Sequence, residues 1–148
     1  MSAEKPWAPG PMRQPRFENI DEAICHAERH LPGIEDDDIY NDDSRWQVIH
    51  EIGWFVRSDP VQVWEFICRW GSHPEKDLRG AVACVLLEHM LEYHFDKYFP
   101  EVKAKALTDP LFAFTFEMCS RFGQSTEPQN AKRLDELNER LYEIQSPG

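Results

Sequence analysis

Residues Ala81 to Leu87 read AVACVLL, seven consecutive apolar positions. They lie inside a longer helical pattern that His73-Pro74-Glu75 opens and that runs to about Tyr93 or Phe95. A helix that is apolar on every side belongs at the centre of a fold. The run is far too short to span a bilayer.

The flanking sequence reads as further helices. A first helix is expected from about Asp21 to Leu31, capped by Asn19 or Asp21 and stopped by Pro32-Gly33. A second starts at Asp42, Asp43 or Ser44 and runs to about Ser58, burying Trp46, Ile49, Ile52, Gly53 and Val56. Gln47, His50, Glu51 and Trp54 fall on its opposite side. Asp59-Pro60 starts a third, with Val63, Phe66, Ile67 and Trp70 as its stripe and Gly71 as its end. Pro100 and Asp109-Pro110 divide the remainder into a short helix near Glu101 to Leu107 and a Phe-rich core helix from Pro110 to Phe122. A last helix, about Ala131 to Ile144, carries a seam of Leu134, Leu137, Leu141 and Ile144. No useful stretch alternates with period two, so no sheet is expected. The reading is a single all-α domain over residues 17–148, of about six or seven short helices in antiparallel pairs. A Pro-rich tail, residues 1–16, precedes it.

Composition sets limits on partners. The 148 residues are 29% charged and 12% aromatic, which is globular rather than disordered. The net charge of -11 disfavours nucleic acid and anionic membrane surfaces and attracts a basic protein. Cys25, Cys68, Cys84 and Cys119 form no CxxC pair and fall on apolar stripes, as inert buried thiols do. With no apolar leader segment, a reducing cytoplasm is the expected compartment.

Residues 59–91, DPVQVWEFICRWGSHPEKDLRGAVACVLLEHML, resemble one HEAT-type helical repeat. The resemblance rests on His73-Pro74, Leu78-Arg79, Ala81, Ala83 and Leu86-Leu87 in the second helix of the pair. The turns at Ser58-Asp59-Pro60 and Thr108-Asp109-Pro110 are weaker echoes. The resemblance implies a short HEAT-like array or an irregular helical bundle that serves as a binding scaffold. It also implies a carboxylate partner for Arg79, with Asp59, Glu75 and Asp77 as candidates.

Several clusters invite a chemical reading. Glu88, His89, Glu92 and His94 gather at the end of the fourth helix, where Glu88 and Glu92 share a face. Neither glutamate has a histidine three residues on, as the carboxylate-helix metal signature requires. His89 and His94 diverge by about 140° around a helix. His26 and His30 have chelating spacing but no third ligand, and read as a solvated face. The run Glu35, Asp36, Asp37, Asp38, Ile39, Tyr40, Asn41, Asp42, Asp43 lacks the glycine and glutamate of a calcium loop. It reads as a solvated acidic loop or, functionally, as an acidic lure for a basic partner.

The leading expectation is therefore a non-enzymatic interaction module, in one version a bacterial immunity or antitoxin-type protein. Its partner-binding residues would be Glu35, Asp36, Asp37, Asp38, Tyr40, Asp42, Asp43 and Trp54, with no cofactor. One alternative is a small metal-dependent helical enzyme using Glu88, His89, Glu92 and His94. Another is a structural homodimer joined through the Leu134 to Ile144 seam. The oligomeric state stays open.

Overall fold

The computed structural model describes residues 15–31 and 41–145, with side chains from residue 44 onward in the second stretch. Among them are seven helices and no strand. These are α1 (Ile20–His30), α2 (Asn41–Gly53), α3 (Pro60–Trp70), α4 (76–93), α5 (Phe95–Thr108), α6 (Pro110–Glu117) and α7 (Pro128–Gln145). A single 3₁₀ turn, Gly123–Thr126, links α6 to α7. The all-α expectation holds.

Helix α4 is the axis. It is α-helical over Lys76–Ala81, π-helical over Val82–Leu87 and α-helical again over Glu88–Tyr93. Val82, Ala83, Leu86 and Leu87 are fully buried, but Cys84 and Val85 are only half-buried. The expectation of burial on all sides therefore fails on one side, where a groove opens. Helices α2, α3 and α6 all pack on the π-wound stretch. At its N-terminal end, the buried Arg45 of α2 pairs with Glu75 at 2.8 Å and Asp77 at 3.1 Å. Trp46 Nε1 donates to Asp77 at 3.0 Å. Arg79 pairs with none of the three carboxylates expected. Its Nε donates to the His73 carbonyl at 2.8 Å, so the layer-joining arginine is Arg45.

Several helix ends differ from expectation. Helix α2 stops at Gly53 rather than Ser58, and residues 54–58 form turns that still bury Phe55 and Val56. Pro100 does not divide α5, which starts at Phe95. The proline sits on the exposed side while Phe95, Tyr98, Phe99 and Val102 are buried opposite, and that burial outweighs the lost hydrogen bond. Gln124 holds the α4–α5 break: its carbonyl accepts from Phe95 N at 2.8 Å and its amide donates to Tyr93 O at 2.9 Å. Helix α6 ends at Glu117, which leaves Phe122 outside it and exposed, and Phe114 within it faces away from the buried Phe112 and Phe116 and is exposed too. In α7, Leu134, Leu137 and Leu141 are buried in the chain's own core. Ile144 is exposed, so the seam is already covered from within.

Two echoing turns behave differently. Asp109 caps α6, accepting from Leu111 N at 3.1 Å and Phe112 N at 3.2 Å. It also accepts from Ser72 Oγ at 2.6 Å. Burial pushes its carboxyl up, but the hydrogen bonds from Ser72 and Phe112, with Lys105 and Leu111 adding, hold it below the ordinary value. Asp59 makes no cap to α3 and only accepts from the neighbouring Ser58 hydroxyl. Asp109→Ala is therefore expected to lower unfolding stability by about 1–2 kcal/mol, and Asp59→Ala by less than about 0.5 kcal/mol. Urea denaturation of the two variants checks this, and equal losses would contradict it.

Candidate functional site

The C-terminal turns of α4 bring Glu88, His89 and Glu92 together. His89 Nδ1 donates to Glu92 Oε1 at 2.6 Å, and its Nε2 lies 3.6 Å from Glu88 Oε2. Glu88 is 6% exposed, and its Oε1 accepts from Ser120 N at 2.7 Å. That bond explains the early end of α6: the chain must leave the helix for Ser120 N–H to meet the buried carboxylate. Burial pushes the Glu88 carboxyl up. The Ser120 N–H and His89 oppose this, and Glu92 adds to it.

His94 does not join the cluster. Its Nε2 lies 2.9 Å from the Val56 carbonyl, an acceptor only, so this nitrogen donates and pins the 54–58 turns. The carboxylates of Glu88 and Glu92 face a histidine between them. Among the described residues no group of three His, Cys, Asp or Glu side chains is disposed to hold a metal ion.

Of the two histidines of α1, His30 is exposed, as a solvated face requires, and His26 is not. His26 is half-buried in the α1–α2 seam, its Nδ1 3.5 Å from Glu51 Oε1, and Arg16 pairs with the same carboxylate at 2.9 Å. Burial lowers the His26 pKa, Glu51 opposes it, and His30, Arg16 and Arg29 lower it further. His30 Nδ1 donates to the His26 carbonyl at 2.9 Å, so its ring does not turn to share a ligand. Glu51, placed on the polar side by periodicity, is thus a tie between elements.

The thiols separate. Cys25 is exposed, against expectation, while Cys68, Cys84 and Cys119 are half-buried. Burial pushes all three of these thiols up, Cys119 the furthest. Such thiols are poor nucleophiles at neutral pH.

Of the expected partner-binding residues, Glu35, Asp36, Asp37, Asp38 and Tyr40 lie outside the described residues. Asp42 and Asp43 fall in the first turn of α2, where the backbone alone is described. Trp54 is 43% exposed and forms one wall of an open groove of about 350 Å³. Gly53 and Val56 line it from the α2 side, and Cys84 and Val85 from the π-wound stretch. His50, Arg57, His89 and Tyr93 complete it. Sequence periodicity missed Val85 and Tyr93, because π-winding shifts which side chains of α4 share a face, and it missed Arg57 because residues 54–58 form turns where helical spacing was expected.

Comparison of the chain with known protein families, with curated proteins and with solved structures found no match.

Glu88 generates a pH prediction. Its folded pKa lies above its unfolded one, so the folded state holds the proton more tightly. Its contribution to stability is full at acid pH and falls as pH rises from the ordinary carboxylate value through the folded one. Glu88→Gln keeps an acceptor for Ser120 N–H and cannot ionise. The variant is expected to gain stability relative to the parent between about pH 4 and about pH 7. Chemical denaturation at both pH values measures the gap, and a pH-independent gap would refute the assignment.

Proposed function

We propose that the protein is a non-enzymatic interaction module that captures a basic protein partner. The observation that carries this is the concentration of charge. Six of the chain's 27 acidic residues, and no basic one, lie in the nine residues from Glu35 to Asp43, where the chain enters α2. At the other end of the same helix, Trp54 stands exposed beside the groove. A dense acidic run raises the on-rate for a basic partner, and an exposed tryptophan is the residue type that most often anchors one. The pKa values of Cys68, Cys84 and Cys119, all pushed up by burial, favour a binding role over thiol catalysis.

The scaffold reading belongs to the same proposal. The α3–α4 pair supports a HEAT-like unit through the buried Leu78, Ala81, Ala83, Leu86 and Leu87 of its second helix. An immunity or antitoxin-type role in a reducing cytoplasm is the biological form that best suits a small acidic binder of this kind.

Affinity purification from the native host tests it. One partner of basic composition is expected to be retained at low salt and to weaken as salt rises. Replacing Asp36, Asp37, Asp38, Asp42 and Asp43 together by Asn is expected to abolish retention. Trp54→Ala should weaken it by about tenfold or more. Absence of a stoichiometric partner at both low and physiological salt would overturn the reading.

A further inference from the structure

We infer that the groove between α2 and α4 is a binding site for a small, flat organic anion. The site is built rather than incidental. Gly53 closes α2 directly over the π-wound stretch, and a Cβ there would stand 3.2 Å from Val85 Cγ1. The π-winding turns Cys84 and Val85 out of an otherwise buried run and makes them part of the lining. Single stretches of π-helix cluster at functional positions for this reason.

Size and shape select the ligand. About 350 Å³ lies near the lower end of the range for small-molecule sites and holds one fused ring system. Trp54 and Tyr93, 43% and 38% exposed, offer flat aromatic surface, while the half-buried Val85 supplies aliphatic surface. A peptide helix would need a trough with anchors at successive turns. This depression is local to one helix end and one π-turn.

Charge selects its sign. The chain carries a net charge of -11, yet the groove lining holds His50, Arg57 and His89 and no Asp or Glu. His89 is committed to Glu92 and lies near Glu88, so it offers no free cation. Arg57 makes no ion pair among the described residues, and its guanidinium lies 4.9 Å over the Tyr93 ring. A guanidinium laid on an aromatic face keeps its N–H edge for a carboxylate or sulfonate. The ligand class is an aromatic ring system bearing one such group, held by Arg57 with His50 beside it. This site shares Trp54 with the proposed protein interface but does not depend on the acidic run, so Arg57→Gln rather than Trp54→Ala separates the two readings.

Anilinonaphthalene sulfonate is the probe. It is expected to bind the full chain saturably, one per molecule, with a fluorescence rise and quenching of tryptophan emission. Phenylnaphthylamine, the same ring system without the sulfonate, is expected to bind about tenfold more weakly, the effect of one lost charge-assisted pair. Arg57→Gln should remove that difference by weakening the sulfonate alone. Trp54→Ala should weaken both probes. Both substitutions are at exposed positions, and unchanged far-ultraviolet circular dichroism verifies the fold. Unsaturable binding, equal affinity for the two probes, or sulfonate binding that survives Arg57→Gln would overturn the inference. Displacement of the sulfonate by an acidic peptide more readily than by naphthoate would also overturn it, and would assign the groove to a protein segment.

Discussion

Five of the seven consecutive apolar residues Ala81–Leu87 are kept wholly from water, and much of the architecture follows from that requirement. Burial of each large aliphatic side chain in Ala81–Leu87 is worth about 1.5–3 kcal/mol. No single neighbour can cover a helix on all sides. Helices α2, α3 and α6 approach α4 from different directions, and all three meet it along the π-wound residues Val82–Leu87. Phe66 and Ile67 from α3, Ile49 and Ile52 from α2, and Phe112 from α6 are fully buried in the resulting core.

Polar ties then fix how the covering helices are placed at the two ends of that axis. Arg45 holds α2 to the first turn of α4 through Glu75 and Asp77. A nearly buried arginine set between two carboxylates offsets more of its desolvation cost than a lone ion pair would, although its Nε has no partner among the described residues. At the other end the ties run through the backbone. Glu88 takes the Ser120 N–H, and Gln124 bridges Tyr93 and Phe95. Gly123, at φ +53°, lets the connecting chain turn tightly against Glu92, where a Cβ would come within 2.6 Å of Cγ. The α6–α7 connection is thereby locked to the end of α4.

The core was largely legible in the sequence because apolar periodicity reports it directly. Val63, Phe66 and Ile67 in α3, and Leu134, Leu137 and Leu141 in α7, are buried where spacing placed them. Helix ends were less legible, since they depend on partners far along the chain. Helix α6 ends at Glu117 because Glu88, 32 residues from Ser120, claims that amide. Pro100 reads as a break, yet tertiary burial on the opposite face of α5 overrides it. In the candidate site, the sequence grouped Glu88, His89, Glu92 and His94, and the divergence of His94 from His89 around the helix already marked it as the odd member. Its acceptor, Val56 O, belongs to a turn that periodicity assigned to helix. The groove was invisible because π-winding leaves no mark in apolar patterning.

The buried Glu88 is an expensive way to end a helix, and its position explains why it is there. Burial raises its pKa, so the charged form carries a cost at neutral pH that an apolar residue would avoid. An apolar residue could not receive the Ser120 N–H, and a hydrogen bond to a charged group is worth about 1.5–3 kcal/mol. The same bond sets where Phe122 falls, two residues on, and Phe122 stacks on His89 with ring centroids 5.7 Å apart. His89 is in turn held to Glu92 and forms part of the groove. Glu88 therefore works through position: it stops α6, fixes Phe122 and so fixes the wall that His89 presents. The groove owes its shape to that carboxylate at one edge and to Gly53 at the other.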